Sequence, residues 1–92
     1  MKVHIIAFAN FRDILGKDRD IEIKKGSTIW DLLQSLISAH SNLGTAVFDE
    51  AGNIREHIII MKNRKNIESL QGLSTAIDEG DEIAILPPVA GG

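Results

Sequence analysis

Apolar and polar positions alternate from Lys2 to Ala9, with Val3, Ile5 and Ala7 on one face and His4, Ile6 and Phe8 on the other. Both faces carry apolar residues, which predicts a central strand. Asn10 to Lys17 reads as a connection ending in the turn residue Gly16. Asp18 to Lys24 alternates more cleanly, with Arg19, Ile21 and Ile23 set against Asp18, Asp20, Glu22 and Lys24. That pattern predicts a half-buried edge strand, paired with the first as a hairpin. After Lys25-Gly26, the apolar spacing changes to Ile29, Leu32, Leu33, Leu36 and Ile37, which forms one stripe on a helix of about three turns. Thr28 with Asp31 three residues on resembles a capping box at its start. Trp30 lies off the stripe and is expected to be partly buried.

The second half is less regular. His40 to Arg55 is polar, with a turn at Asp49-Glu50-Ala51-Gly52-Asn53 and with Val47 and Phe48 expected at the edge of the core. His57 to Met61 predicts a strongly apolar strand, and Lys62 to Asn66 a positively charged turn. Ile67 to Ser74 is short and irregular, with Leu70 and Leu73 as its expected anchors. A tight turn at Asp78-Glu79-Gly80-Asp81 leads into a last strand, Glu82 to Leu86, with Ile83 and Ile85 on one face and Ala84 and Leu86 on the other.

Strand, strand, helix, strand, short elements, strand is the order of an α+β domain of β-grasp (ubiquitin-like) type. A mixed sheet carries one main helix packed on one face, and the terminal strand lies beside the first. Residues 1–86 form this domain and residues 87–92 a flexible C-terminal tail ending in Gly-Gly. On the sheet's open face, Ile6, Phe8, Ala84 and Leu86 are then expected to form an apolar patch at the base of the tail. Such a patch usually marks a protein partner.

The 92 residues suit one domain. Ten basic and thirteen acidic residues give a net charge of −3 with no basic run, which argues against nucleic acid or an anionic membrane as partner. No cysteine is present, so disulfides, thiolate metal sites and a cysteine nucleophile are excluded. The N-terminal apolar run is too short for a signal peptide, and nothing approaches the roughly 18 apolar residues of a membrane-crossing helix. The expectation is a soluble, cytoplasmic protein. His4, His40 and His57 are too scattered to propose a metal site. Asp18, Asp20 and Glu22 read as a solvated face, and Lys62, Arg64 and Lys65 as a soluble turn that could also steer an acidic partner. Arg12 is expected either to contact a partner or to pair with Asp13 or a strand carboxylate.

The tail carries the distinctive chemistry. Pro87 and Pro88 have fixed φ and no N–H to extend a ladder, so they end the sheet and aim the chain outward. Gly91 and Gly92 lack a Cβ and can pass a narrow channel. What reaches the channel's end is the Gly92 α-carboxylate, ionised at neutral pH. A carboxylate is a poor electrophile and needs conversion to an acyl phosphate, typically an acyl-adenylate formed from ATP. The activated glycine could then accept sulfur as a thiocarboxylate, or a lysine amine as a covalent tag.

Three stretches resemble one family. Phe8-Ala9-Asn10-Phe11-Arg12 with Gly16 is similar to the opening of the MoaD family, the small subunit of molybdopterin synthase. Thr28-Ile29-Trp30-Asp31-Leu32-Leu33 resembles its helix start, and the ending from Gly80 to Gly92 resembles its ending almost residue for residue. Thiamine-pathway carriers share the Gly-Gly but are usually shorter and lack the Pro-Pro. The resemblance implies a ubiquitin-like fold and a sulfur carrier with no bound cofactor and no complete active site of its own. A MoeB-like adenylating enzyme would use ATP and Mg to adenylate Gly92, and a sulfur donor would convert it to a thiocarboxylate. The tail would then enter a MoaE-like large subunit and give its sulfur to cyclic pyranopterin monophosphate. Gly92 and Gly91 are carried over as the reactive tail, and Phe8, Leu86, Pro87, Pro88, Val89 and Ala90 as partner contacts. Some relatives have an aromatic residue where this chain has Leu86. The alternatives are a ubiquitin-like modifier joined to lysines through Gly92, a sulfur carrier for tRNA thiolation or cysteine synthesis, and a plain β-grasp interaction module.

Overall fold

The computed structural model describes residues 1–56 and 58–87; His57 and residues 88–92 lie outside the described part, and with them the expected roles of Pro88, Val89, Ala90, Gly91 and Gly92. The described residues build a five-stranded mixed sheet: β1 (Lys2–Ala7), β2 (Asp18–Glu22), β3 (Ile59–Lys62), β4 (Lys65–Asn66) and β5 (Glu82–Leu86). The strand order is β2-β1-β5-β3-β4. The last strand therefore occupies the centre, parallel to β1 with Ile5 opposite Ile83 and Ala7 opposite Ile85, and antiparallel to β3 with Ile60 opposite Ile85. β2 is an edge strand antiparallel to β1, as its alternation predicts.

The main helix, α2 (Ile29–Ala39), covers one face of this sheet. Both halves of its capping box form: the Thr28 hydroxyl accepts from the Asp31 N–H, and the Asp31 carboxylate accepts from the Thr28 N–H at 2.9 Å. Its stripe is buried at Ile29, Leu32, Leu33 and Leu36, against Val3, Ile5, Ala7, Ile60, Ile83 and Ile85 from the inner face of the sheet. Each buried valine, leucine or isoleucine among these contributes roughly 1.5–3 kcal/mol of transfer free energy. Ile37, the last residue of the expected stripe, is only partly buried.

Two segments read as connections are helical. Asn10–Leu15 forms α1, because Phe11 and Leu15, four residues apart, share one face and are both buried. With so few residues and a polar remainder, the segment takes its helix from that packing. β1 consequently stops at Ala7, and not at Ala9. Ser41–Val47 forms α3, which buries Leu43 and Val47 by the same spacing. Val47 is core and Phe48 is partly buried, as expected, while Leu43 was not expected. The third strand begins at Ile59 and includes Lys62, two residues later than the expected start. β3 turns into β4 through Asn63 and Arg64, both at positive φ (49° and 69°), the conformation of a two-residue hairpin turn.

The irregular segment contains two 3₁₀ turns, Ile67–Ser69 and Gly72–Ser74. Its buried anchor is Ile67; Leu73 packs partly against the core, and Leu70 is 40% exposed, so it does not anchor the segment. Among the described residues, no helix is long and apolar enough to cross a membrane.

Candidate functional site at the base of the tail

Two strands converge where the chain leaves the sheet. β5 delivers Leu86 and Pro87, both partly buried, and β1 runs parallel beside it. The Phe8 N–H donates to the Ile85 carbonyl at 3.2 Å, which continues the ladder one step past Ala7. Phe8 follows the outward positions His4 and Ile6 and is 38% exposed. Ile6 stands opposite Ala84 in the register, so Ile6, Phe8, Ala84 and Leu86 share the face of the sheet that lacks a helix.

The structure adds two residues that the sequence reading did not assign to this face. Ile59 stands opposite Leu86 and Met61 opposite Ala84, and both are partly exposed while Ile60 between them is buried. The signal was available: in an apolar strand of period two, residues flanking a buried one must face outward. What could not be read was that β3 neighbours β5, because sequence-distant strands pair only through the fold. The outcome is an apolar surface across β1, β5 and β3 with Pro87 at its rim.

This surface has polar borders. On the β2 side, His4 Nδ1 lies 2.7 Å from Asp20 Oδ1, and Asp18 Oδ1 is 3.9 Å from Nε2. The hydrogen bond to Asp20 raises the His4 pKa above its ordinary value, against a desolvation that lowers it, and the fields of Asp20, Asp18 and Glu82 add to the rise. Asp20 is lowered in turn, chiefly by the His4 hydrogen bond. The acidic residues of β2 are thus a solvated face with two partners: His4 for Asp18 and Asp20, which the scattered histidines gave no sign of, and the Met1 ammonium, 3.5 Å from Glu22.

On the far side, a buried carboxylate ties β5 to the β3–β4 turn. Asp81 accepts from the Asp78 N–H at 2.7 Å and from the Asn63 amide at 2.9 Å, with Lys62 Nζ at 3.3 Å. Burial alone would raise the Asp81 pKa; those three donors outweigh it and hold the carboxyl below the ordinary range. Asn63 returns the connection, since its side-chain oxygen accepts from the Glu82 N–H at 2.9 Å. Lys62 also donates to the Ala76 carbonyl at 2.8 Å and its side chain is only 17% exposed, so it is a structural cation and not a free steering charge. Arg64 and Lys65 are exposed. Arg12 makes neither of its expected ion pairs among the described residues; its Nε reaches the Ala7 carbonyl at 3.5 Å, beside the patch.

Trp30 is 43% exposed and meets Phe48 edge-to-face with ring centroids 5.5 Å apart, on the helical side of the domain. It belongs to a different surface from the patch.

The arrangement can present an apolar docking face and, at its rim, a strand that leads directly into the terminal residues.

Comparison with known proteins agrees with this geometry. Residues 5–92 match the ThiS family. The chain is 32% identical to small archaeal modifier protein 3 of Haloferax volcanii, covering 100% of both chains. It is 30% identical to a molybdopterin synthase sulfur carrier subunit of Drosophila erecta, covering 100% of this chain and 92% of that one. Among solved structures, SAMP1 from Haloferax volcanii superposes with a TM-score of 0.86 at 29% identity over 100% of both chains. A chain in the crystal structure of the Amycolatopsis orientalis BexX/CysO complex matches at a TM-score of 0.79 and 26% identity, covering 98% of this chain and 99% of that one.

Proposed function

This chain belongs to the ThiS family of ubiquitin-like sulfur carriers and modifiers, and from that membership we propose that it carries sulfur on Gly92 as the small subunit of a molybdopterin synthase. One observation carries the reading. The central strand β5 buries Ile83 and Ile85, exposes Ala84 and Leu86 to an open apolar face, and leads straight into the Pro-Pro-Val-Ala-Gly-Gly ending.

The chemistry follows from the carboxylate. On a MoeB-like adenylating enzyme, a Gly92 oxygen attacks the α-phosphorus of Mg-bound ATP; pyrophosphate leaves and an acyl-adenylate forms. A sulfur nucleophile adds to that carbonyl and expels AMP, leaving a thiocarboxylate. Docked on a MoaE-like large subunit through Phe8, Leu86 and Pro87, the tail passes its sulfur to cyclic pyranopterin monophosphate. Val89 and Ala90 line the walls of the same channel, and Gly91 lets the backbone through its narrowest part.

A second reading shares the first step. The 32% identity to small archaeal modifier protein 3 favours a protein modifier, in which a lysine amine displaces AMP and forms an isopeptide bond. Delivery of the thiocarboxylate to tRNA thiolation or cysteine synthesis differs only in the acceptor.

The test is intact mass after incubation with a MoeB-like enzyme, Mg-ATP and sulfide. Replacement of one oxygen by sulfur supports the carrier. No shift and no adenylate, with an enzyme proven on its own carrier, refutes it. Lysine adducts formed in lysate from the adenylated chain would favour the modifier.

A further inference from the structure

The chain has no cysteine and two methionines, and the fold treats the two sulfurs differently. Met1 packs against the core and its side chain is 8% exposed. Met61 lies on β3, with Ala84 opposite it on β5 and Asn66 opposite it on β4. It is partly exposed while Ile60 beside it is buried, so it belongs to the outer face with Ile59, Ala84 and Leu86. Ala84, with a single methyl group, is too small to cover it. Ile58, Ile59 and Ile60 precede Met61, and isoleucine suits a strand through its β-branch. A methionine brings an unbranched thioether instead, which adapts to an uneven partner surface. It also gives this apolar face a side chain whose polarity chemistry can change, because oxidation converts the thioether to a polar sulfoxide.

We propose that Met61 is an oxidation site through which a peroxide switches the docking face off. The thioether sulfur attacks one peroxide oxygen; an S–O bond forms, the O–O bond breaks, the sulfur gives up two electrons and the other oxygen leaves as water. On the reading above that this face docks the adenylating enzyme, docking takes the sulfoxide oxygen out of water and into an apolar contact, which opposes binding. The fold is spared, because Met61 points away from the core and water meets the oxygen in the free chain. Methionine sulfoxide reductases return the thioether, the oxygen leaving as water with two electrons from a dithiol. An oxidised chain is therefore folded but idle until it is repaired.

The test uses the full chain in its carboxylate form, treated with hydrogen peroxide and freed of it before a partner is added. Peptide mapping should place the first added oxygen on Met61 and not on Met1. The oxidised chain should melt within a few degrees of the parent, yet bind a MoeB-like enzyme about ten-fold or more weakly. Met61→Gln, polar and of similar length, should bind as weakly without peroxide. Met61→Leu should bind much as the parent does and lose nothing on treatment. The two methionine sulfoxide reductases, one for each sulfoxide epimer, should restore affinity once intact mass shows the oxygen removed. Oxidation of Met1 first, an equal loss of affinity in treated Met61→Leu, or a treated chain unfolded at the assay temperature would each overturn the proposal. Phe8→Glu separates it from the reading of the face. If Phe8→Glu weakens binding and oxidation of Met61 does not, the switch is wrong while the docking face stands. If neither weakens it, the docking face itself is wrong and the inference falls with it.

Discussion

Replacing Asp81 with Asn tests whether the clamp at the start of β5 works as the geometry implies. Wild-type Asp81 is 7% exposed and its carboxylate meets three donors: the Asp78 N–H, the Asn63 amide and the Lys62 ammonium. An asparagine has nearly the same shape but only one acceptor oxygen. Its NH2 group must then face either the Asp78 N–H or the Asn63 amide, donor against donor. Asn63 cannot relieve the clash by rotating its amide, because its oxygen is held by the Glu82 N–H at 2.9 Å. One charge-assisted hydrogen bond is lost, at ~1.5–3 kcal/mol, and a part-buried donor is left unpaired, at the low end of ~1–3 kcal/mol. The sum is on the order of 3 kcal/mol or more, a large part of the ~5–15 kcal/mol that holds a small domain together. For a domain of this size, Asp81→Asn should lower the melting midpoint at pH 7 by roughly 12–24 °C. Acid supplies a second check. The folded pKa of Asp81 is depressed, so its stabilisation is present above the unfolded value of about 3.9 and is lost as pH falls through the folded pKa. Melting curves of the two proteins should therefore stay a constant distance apart from pH 7 to about pH 5 and converge in stronger acid. A deficit under ~1 kcal/mol at pH 7, or one that persists undiminished in strong acid, would show that the carboxylate is not the clamp.

Further expectations concern the patch, the tail and the β2 border. Phe8→Glu and Leu86→Glu should each weaken binding to the large subunit by at least about ten-fold, since a charge would face an apolar partner, while the melting midpoint moves by only a few degrees; unchanged affinity for both, measured by calorimetry, would exclude the patch as the docking face. Deleting Gly92 should abolish adenylation and leave circular dichroism and melting as before; loss of folding would contradict a tail outside the core. His4 should titrate above the ordinary histidine value of about 6.5 by NMR, and Asp20→Asn should bring it down. The raised His4 pKa makes the pair's contribution to stability full below the unfolded histidine value and lost as pH rises through the folded one; the lowered Asp20 pKa removes it again in strong acid. A His4 midpoint unmoved by Asp20→Asn would refute the pairing.

The elements legible in the sequence were those whose pattern is local and long enough to show its period. The α2 stripe, its Thr28–Asp31 box, the alternation of β1 and the limits of β5 all fall in this class. The helices α1 and α3 were not legible, because six or seven residues cover fewer than two turns and show no sustained helical period. Phe11 with Leu15, and Leu43 with Val47, are their buried pairs; only the core they pack into distinguishes them from loop residues. Ile67, and not the expected Leu70, anchors its segment, and this was not legible for the same reason, since a 3₁₀ turn has no extended periodicity to read. Of the patch, the β1 and β5 halves followed from alternation once those strands were placed side by side. Ile59 and Met61 required the β3–β5 pairing, which joins residues more than twenty positions apart.

β5 ties the stability of the domain to the presentation of its tail. Its inward residues Ile83 and Ile85 are fully buried, its outward residues Ala84 and Leu86 belong to the open apolar face, and the clamp at Asp81 sits where it begins. Strand side chains alternate, so a slip of one residue would drive Ala84 and Leu86 inward and put both isoleucines on the surface. It would also move Pro87 by one position relative to Phe8. The buried isoleucines therefore fix the length of chain between the patch and Gly92 as well as holding the sheet together. A partner that contacts the patch and encloses the terminal glycine measures that length, and a mutation in the clamp should lower the fraction folded without changing it. For Asp81→Asn below its melting midpoint, the rate of adenylation per folded molecule should match that of the parent chain, while a one-residue insertion between Leu86 and Gly92 should lose adenylation with stability intact.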